Sequence, residues 1–201
     1  MAQRTYRQLK KSVSEDRFDA YCAKIATRYA NSDGQFSSTY FSREENITTD
    51  CFYLLLRDAI IKNLVDDKTV DMMEYKAMSN QKRHCEKAGE TSRVKYKKLR
   101  EKRTQYIISQ LSDNEISNIT INYAYDERLT IDDLTQMYDL SESVIKNVIK
   151  KAFIEGMIED EVCRMLEEKA LNKASDQRYV KTFFKSLWEQ RKKQESREKS
   201  S

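Results

Sequence analysis

The chain has 201 residues, no proline, only three glycines, 35% charged residues and a formal net charge of +4. This is the composition of helices with exposed polar faces, and it excludes an architecture of strands joined by turns. The length admits one large domain or two small ones. No stretch nears the roughly 18 apolar residues of a membrane span, and so small a net charge means that a polyanionic partner must be argued from where the charges lie.

Side-chain chemistry for catalysis is sparse. Cys22, Cys51, Cys85 and Cys163 form no CxxC pair, and His84, the one histidine, adjoins Cys85 without a second pair to complete a tetrahedral site. Free thiols, no metal and no cofactor are therefore expected. There is no Gly-rich phosphate loop and no GxSxG, so no nucleophile, base and oxyanion donor can be assembled. A non-enzyme with no small-molecule substrate is expected. The adjacent acids Asp132 and Asp133 suit the first turn of a helix, where the dipole favours negative charge.

In chain order, residues 1–14 lack apolar periodicity and are expected to be a basic flexible arm; no apolar run follows them, and a cytoplasmic protein is expected. A first repeat is predicted over 15–80. Phe18, Tyr21, Cys22, Ile25, Ala26 and Tyr29 share one helical face, and Asn31 to Gly34 end that helix with turn chemistry. Phe36 to Leu56 then reads as two short helices about a turn. Phe41 and Ser42 lie in the first, Asn46 in the turn, Ile47 at the corner and Thr48 at the cap, with Cys51, Phe52, Leu55 and Leu56 inward. Asn63 is expected at positive φ, and Asp67, like Asp160 in the second repeat, is expected to cap a further helix.

Residues 81–110 are expected to be a basic helical connector in which Lys82, Arg83, Lys87, Arg93, Lys95, Lys97, Lys98, Arg100, Lys102 and Arg103 outnumber Glu86, Glu90 and Glu101, with Tyr96 among them. Such density suits phosphate contact. The boundary between copies is placed near Thr104 to Asp113. A second repeat follows over 111–173, its centre the stretch from Leu129 to Ala152. There Leu134, Met137 and Tyr138 face inward from one helix and Val144, Ile145, Val148, Ile149 and Ala152 from the next. Asp139 occupies the turn, Leu140 the corner and Ser141 the cap. Over 174–190, Tyr179, Val180, Phe183, Phe184, Leu187 and Trp188 form an apolar stripe, read as core with a homodimer interface as the alternative. Residues 191–201 are expected to be a disordered tail.

The two central stretches lie in register. Ile47 to Met78 set over Leu140 to Leu171, at an offset of 93 and without a gap, gives seven identities in 32 positions, several times the chance level. Ala59/Ala152, Asp67/Asp160, Glu74/Glu167 and Lys76/Lys169 are among them. Asn46/Asp139 and Asn63/Gly156 pair residues that tolerate positive φ. Upstream, Ile25 to Ala30 lies over Ile119 to Ala124; downstream, Leu99 to Arg103 lies over Leu187 to Arg191 at a different offset.

On these residues the chain resembles the helix-turn-helix of bacterial and phage repressors and of the DNA-binding tails of site-specific recombinases, in the homeodomain-like or trihelical arrangement. The expected fold is all-α, with two tandem trihelical helix-turn-helix units, each extended by about two further helices. The resemblance implies sequence-specific binding of double-stranded DNA, as a small transcriptional regulator or mobile-element accessory protein. The side chains then expected at DNA are Ser141, Glu142, Ser143, Lys146, Asn147, Lys150 and Lys151 on the second copy's second helix. Thr48, Thr49, Tyr53 and Arg57 are their first-copy counterparts, and Lys95, Lys97, Lys98 and Lys102 are expected at phosphates. The first copy offers Leu54 where the second has Asn147, so a protein-facing role is open for it. The alternative for the whole chain is a helical adaptor or inhibitor that binds protein without reading DNA.

Overall fold

The computed structural model describes residues 3–32, 37–82 and 86–198, with side chains at all of these except 80–82 and 86–91. Arg83, His84, Cys85 and residues 199–201 thus lie outside the described residues, as do the side chains of Lys82 and Lys87. Among the described residues the protein is all-helical: α1 (Tyr6–Ser12), α2 (Glu15–Asn31), α3 (Ser38–Glu44), α4 (Thr49–Ile61), α5 (Asp67–Lys82), α6 (Glu86–Gln110), α7 (Asp113–Tyr125), α8 (Ile131–Tyr138), α9 (Glu142–Ile154), α10 (Asp160–Lys173) and α11 (Gln177–Glu198). None of them is long and apolar enough to cross a membrane. The chain divides into two compact units, 1–106 and 107–201, each with its own core.

In the first unit the helical period brings Phe18, Cys22, Ile25, Ala26 and Tyr29 of α2 against Cys51, Phe52, Leu55, Leu56 and Ala59 of α4. Each large side chain so enclosed contributes about 1.5–3 kcal/mol. In the second unit Ile116, Ile119 and Ala124 of α7 meet Val144, Ile145, Val148 and Phe153 of α9 in the same way. The short helix before each of these, α3 or α8, packs on its successor through one or two buried residues, Phe41 and Ser42 in the first unit and Leu134 in the second.

Backbone geometry repeats as well. Asn46, Asn63, Asp139 and Gly156 have φ of 52°, 57°, 51° and 68°. At each the chain leaves a helix in the left-handed conformation, and the next N–H donates back six residues' span: Ile47 to Ser42 O, Leu140 to Thr135 O, Leu64 to Ala59 O and Met157 to Ala152 O.

The matching residues explain themselves as ties between helices. Lys76 and Lys169 donate to the carbonyl oxygens of Tyr29 and Tyr123 at 2.5 Å, closing the C-terminus of α2 or α7 while lying over the same tyrosine's ring. Glu74 accepts from Arg100 at 2.5 Å, and Glu167 accepts from Trp188 at 3.3 Å. Asp67 and Asp160 are not caps. Asp66 caps α5 by accepting from the Thr69 N–H, and Asp67 instead pairs with Arg103 as Asp160 does with Arg191.

Several sequence expectations are corrected. Residues 6–12 are not a loose arm but α1, because Leu9 is buried, Tyr6 stands edge-on to Phe18 and its hydroxyl donates to Asp58. The basic segment is not a connector alone: α6 buries Tyr96 and Leu99 in the first core, where α11 buries Phe184 and Leu187 in the second. Residues 191–198 continue α11 as helix rather than as disordered tail, since Arg191, 8% exposed, donates to Phe153 O and Ile158 O. Met137 is 62% exposed rather than inward. The stripe on α11 is core only in part, because Tyr179 is 71% and Phe183 42% exposed.

Candidate nucleic-acid interface

All the side chains expected at DNA in the second unit except Lys151 lie on the outer face of α9 or at its start. Val144, Ile145, Val148 and Ala152 take the inner face, so helical geometry turns Glu142, Ser143, Lys146, Asn147 and Lys150 to solvent. Lys151 is half-buried and lies 3.7 Å from Glu155. Ser141 stands at the N-cap, yet its hydroxyl makes no capping bond; its carbonyl accepts the first intrahelical bond, from the Ile145 N–H. Thr48, its counterpart, does cap α4 by accepting from the Cys51 N–H.

Two bonds preset the outer face. Lys146 pairs with Glu142 at 2.5 Å along the helix, both side chains more than half exposed. Asn147 Nδ2 donates to Ser143 O at 2.8 Å. The ion pair is weak in water and readily exchanged for another partner. α8 is held by a capping box in which Thr130 accepts from the Asp133 N–H while Asp133 accepts from the Thr130 N–H and hydroxyl. Those bonds lower the Asp133 pKa.

In the first unit the start of the equivalent face is partly covered, while Asp50, Tyr53 and Arg57 stay exposed. Arg4 bridges the turn: its N–H donates to Asn46 O at 3.0 Å, its carbonyl accepts from the Thr48 N–H at 3.1 Å, and its guanidinium reaches Glu45 O. α1 then packs along α4. Thr48 and Thr49 are partly covered, Arg57 is tied to Asp58 at 2.9 Å, and Tyr53 donates its hydroxyl to Ser38. The expected first-copy counterparts are thus present without forming an open basic face.

On α6 the arginines and lysines separate. Arg100 pairs with Asp71 and Glu74 and Arg103 with Asp67, so these two are structural. Lys95, Lys97, Lys98 and Lys102 are exposed. Sequence reasoning missed Arg4, counted Arg103 among the cations suited to phosphate and left Arg191 in the expected disordered tail. The Leu99-to-Arg103 and Leu187-to-Arg191 alignment held the signal for the last two, whereas nothing local marks Arg4. Among the described residues no group of His, Cys, Asp and Glu is arranged to hold a metal ion.

No family model, curated protein or solved structure matches this chain.

Proposed function

We propose that the chain consists of two tandem trihelical helix-turn-helix units and binds double-stranded DNA in a sequence-specific way, with α9 as the helix that enters the major groove. One observation carries this reading: a left-handed turn at Asp139 joins α8 to a helix whose inner face is apolar and whose outer face holds Ser143, Lys146, Asn147 and Lys150 in the open. Asparagine pairs bidentately with adenine, lysine reaches guanine or phosphate, and an unengaged serine at a helix start suits a phosphate oxygen. The role is that of a small transcriptional regulator or mobile-element accessory protein acting in the cytoplasm.

A gel shift of the full chain against random duplexes at low and moderate salt tests it. Retention that falls as salt rises is expected, since phosphate contacts release counterions. Absence of any shift at low salt overturns the reading.

The second reading is a protein-binding module, and the covered turn of the first unit together with exposed Tyr179 and Phe183 favours it. It predicts a chain that ignores duplex and loses a protein partner when these aromatics are replaced.

A further inference from the structure

We infer that the first unit has its own nucleic-acid surface, the edge of α6 that carries Lys95, Lys98 and Lys102 beside Tyr53 of α4, and that it grips the phosphate backbone of a duplex without inserting α4 into a groove. The proposal deepens the DNA-binding reading but rests on different residues from those of α9.

The helix itself sorts its cations. Tyr96, Leu99 and Arg103 face the first core, so positions i, i+3 and i+7 from Lys95 form one edge of the helix and Arg93 and Lys97 lie toward the other. The two edges meet different neighbours. On the Lys97 side, Arg100 draws in Asp71 and Glu74 from α5, so carboxylates stand among the cations. On the Lys95 side the neighbour is Tyr53, whose ring lies 5.2 Å from Lys95 Nζ. Among the described residues Lys95, Lys98 and Lys102 pair with no carboxylate. The acids nearest this edge in sequence are Glu101, exposed on α6 next to Lys102, and Asp50, three residues before Tyr53 on α4, so three lysines face two acids there.

Tyr53 holds its place by donating to Ser38 at 3.0 Å, so the edge of the lysine row rests on a positioned ring rather than on a free side chain. From Lys95 to Lys102 the helix rises about 10 Å, comparable to about three phosphates of one strand at 3.4 Å of axis each. The row offers point charges and no base-pairing groups, and Arg4 seals the turn through which α4 would approach a groove. A duplex backbone read without regard to sequence is the ligand chemistry that fits.

The test uses fluorescence anisotropy of the full chain with a labelled random 20-base-pair duplex, titrated between 50 and 200 mM KCl. The triple variant K95Q/K98Q/K102Q is compared with an R17Q/K24Q control, which removes two exposed cations of α2, and circular dichroism melts check that both fold. The triple variant is expected to flatten the slope of log affinity against log salt by up to about 0.9 for each lysine lost, nearly three in all, while the control leaves it almost unchanged. Equal flattening per charge in both variants would mean diffuse attraction, and no flattening in the triple variant would mean no contact; either overturns the proposal. So does a triple variant that keeps duplex binding and loses only binding to phosphatidylserine vesicles. Because Asn147→Ala probes α9 alone, loss of the salt slope with Asn147 silent would uphold this surface while removing the groove-reading role of α9.

Discussion

Arg103 and Arg191 hold the same station in the two units. Arg103 donates to Val65 O at 3.0 Å and pairs with Asp67 at 2.8 Å; Arg191 donates to Ile158 O at 3.0 Å and pairs with Asp160 at 3.0 Å. Each arginine anchors its unit's last helix to the loop that starts the one before it. Replacing Arg191 with Met leaves the carbonyls of Phe153 and Ile158 without their donor and Asp160 without its cation. A loss of about 2–4 kcal/mol is expected in urea unfolding. Arg191→Lys should recover only part of it, because one ammonium cannot span the forked set of acceptors. Full stability in the Met variant would show that the anchor is dispensable.

The left-handed positions predict opposite signs for two substitutions. Gly156→Val should destabilise by about 1–2 kcal/mol. A Cβ built at Gly156 meets nothing within 4 Å, so the whole penalty lies in the backbone. Asp139→Gly should be neutral or raise the melting midpoint, because glycine adopts φ near 51° without the Cβ clash. Thermal melts of both variants side by side would show it, and a stable Gly156→Val would contradict it.

Burial pushes the Cys22 thiol up to about 12 and those of Cys51 and Cys163 up to about 11, with Asp58 and Asp19 adding to the effect at Cys22. At pH 8 these three carry almost no thiolate, the reactive form. In the native protein they should therefore react with a disulfide reagent only at the rate of unfolding, and rapidly in urea. Mass mapping of the labelled cysteines would decide; fast native labelling of Cys22 would count against its burial.

Two capping boxes give the second unit an acid-sensitive component. Hydrogen bonds from Ser112 lower the Glu115 pKa, and those from Thr130 lower that of Asp133. A carboxylate with a depressed folded pKa stabilises above its unfolded value and loses that contribution as pH falls through the folded one. The deficit of an E115Q/D133N variant against the parent, measured as urea midpoints, should be largest at neutral pH and shrink below about pH 4. A deficit independent of pH would exclude this cause.

If α9 reads sequence, Asn147→Ala should weaken binding to a duplex selected from a random pool by roughly 1–3 kcal/mol and hardly alter binding to unselected duplex. Competition gel shifts measure both. Equal loss on the two duplexes would reduce Asn147 to a structural role, through its bond to Ser143 O.

Local rules carried far in this chain because its helices are set by period and by permissive turn residues. The inward faces of α2, α4 and α9, and positive φ at Asn46, Asn63, Asp139 and Gly156, follow from spacing and Cβ sterics alone. So does the pairing of Lys76 with Lys169, although only the fold revealed that both cap a preceding helix. Tertiary structure decided what depends on residues distant in sequence. Arg4 finds the turn at Asn46, Tyr6 finds Asp58, and Arg191 finds carbonyls on α9 and at Ile158. A polar or basic side chain looks the same in sequence whether it meets water or a buried acceptor. The free energy that separates the two comes from desolvation by neighbours brought together only by the fold. For the same reason composition marked all of α6 as one basic run, and only packing divided it into structural arginines and exposed lysines.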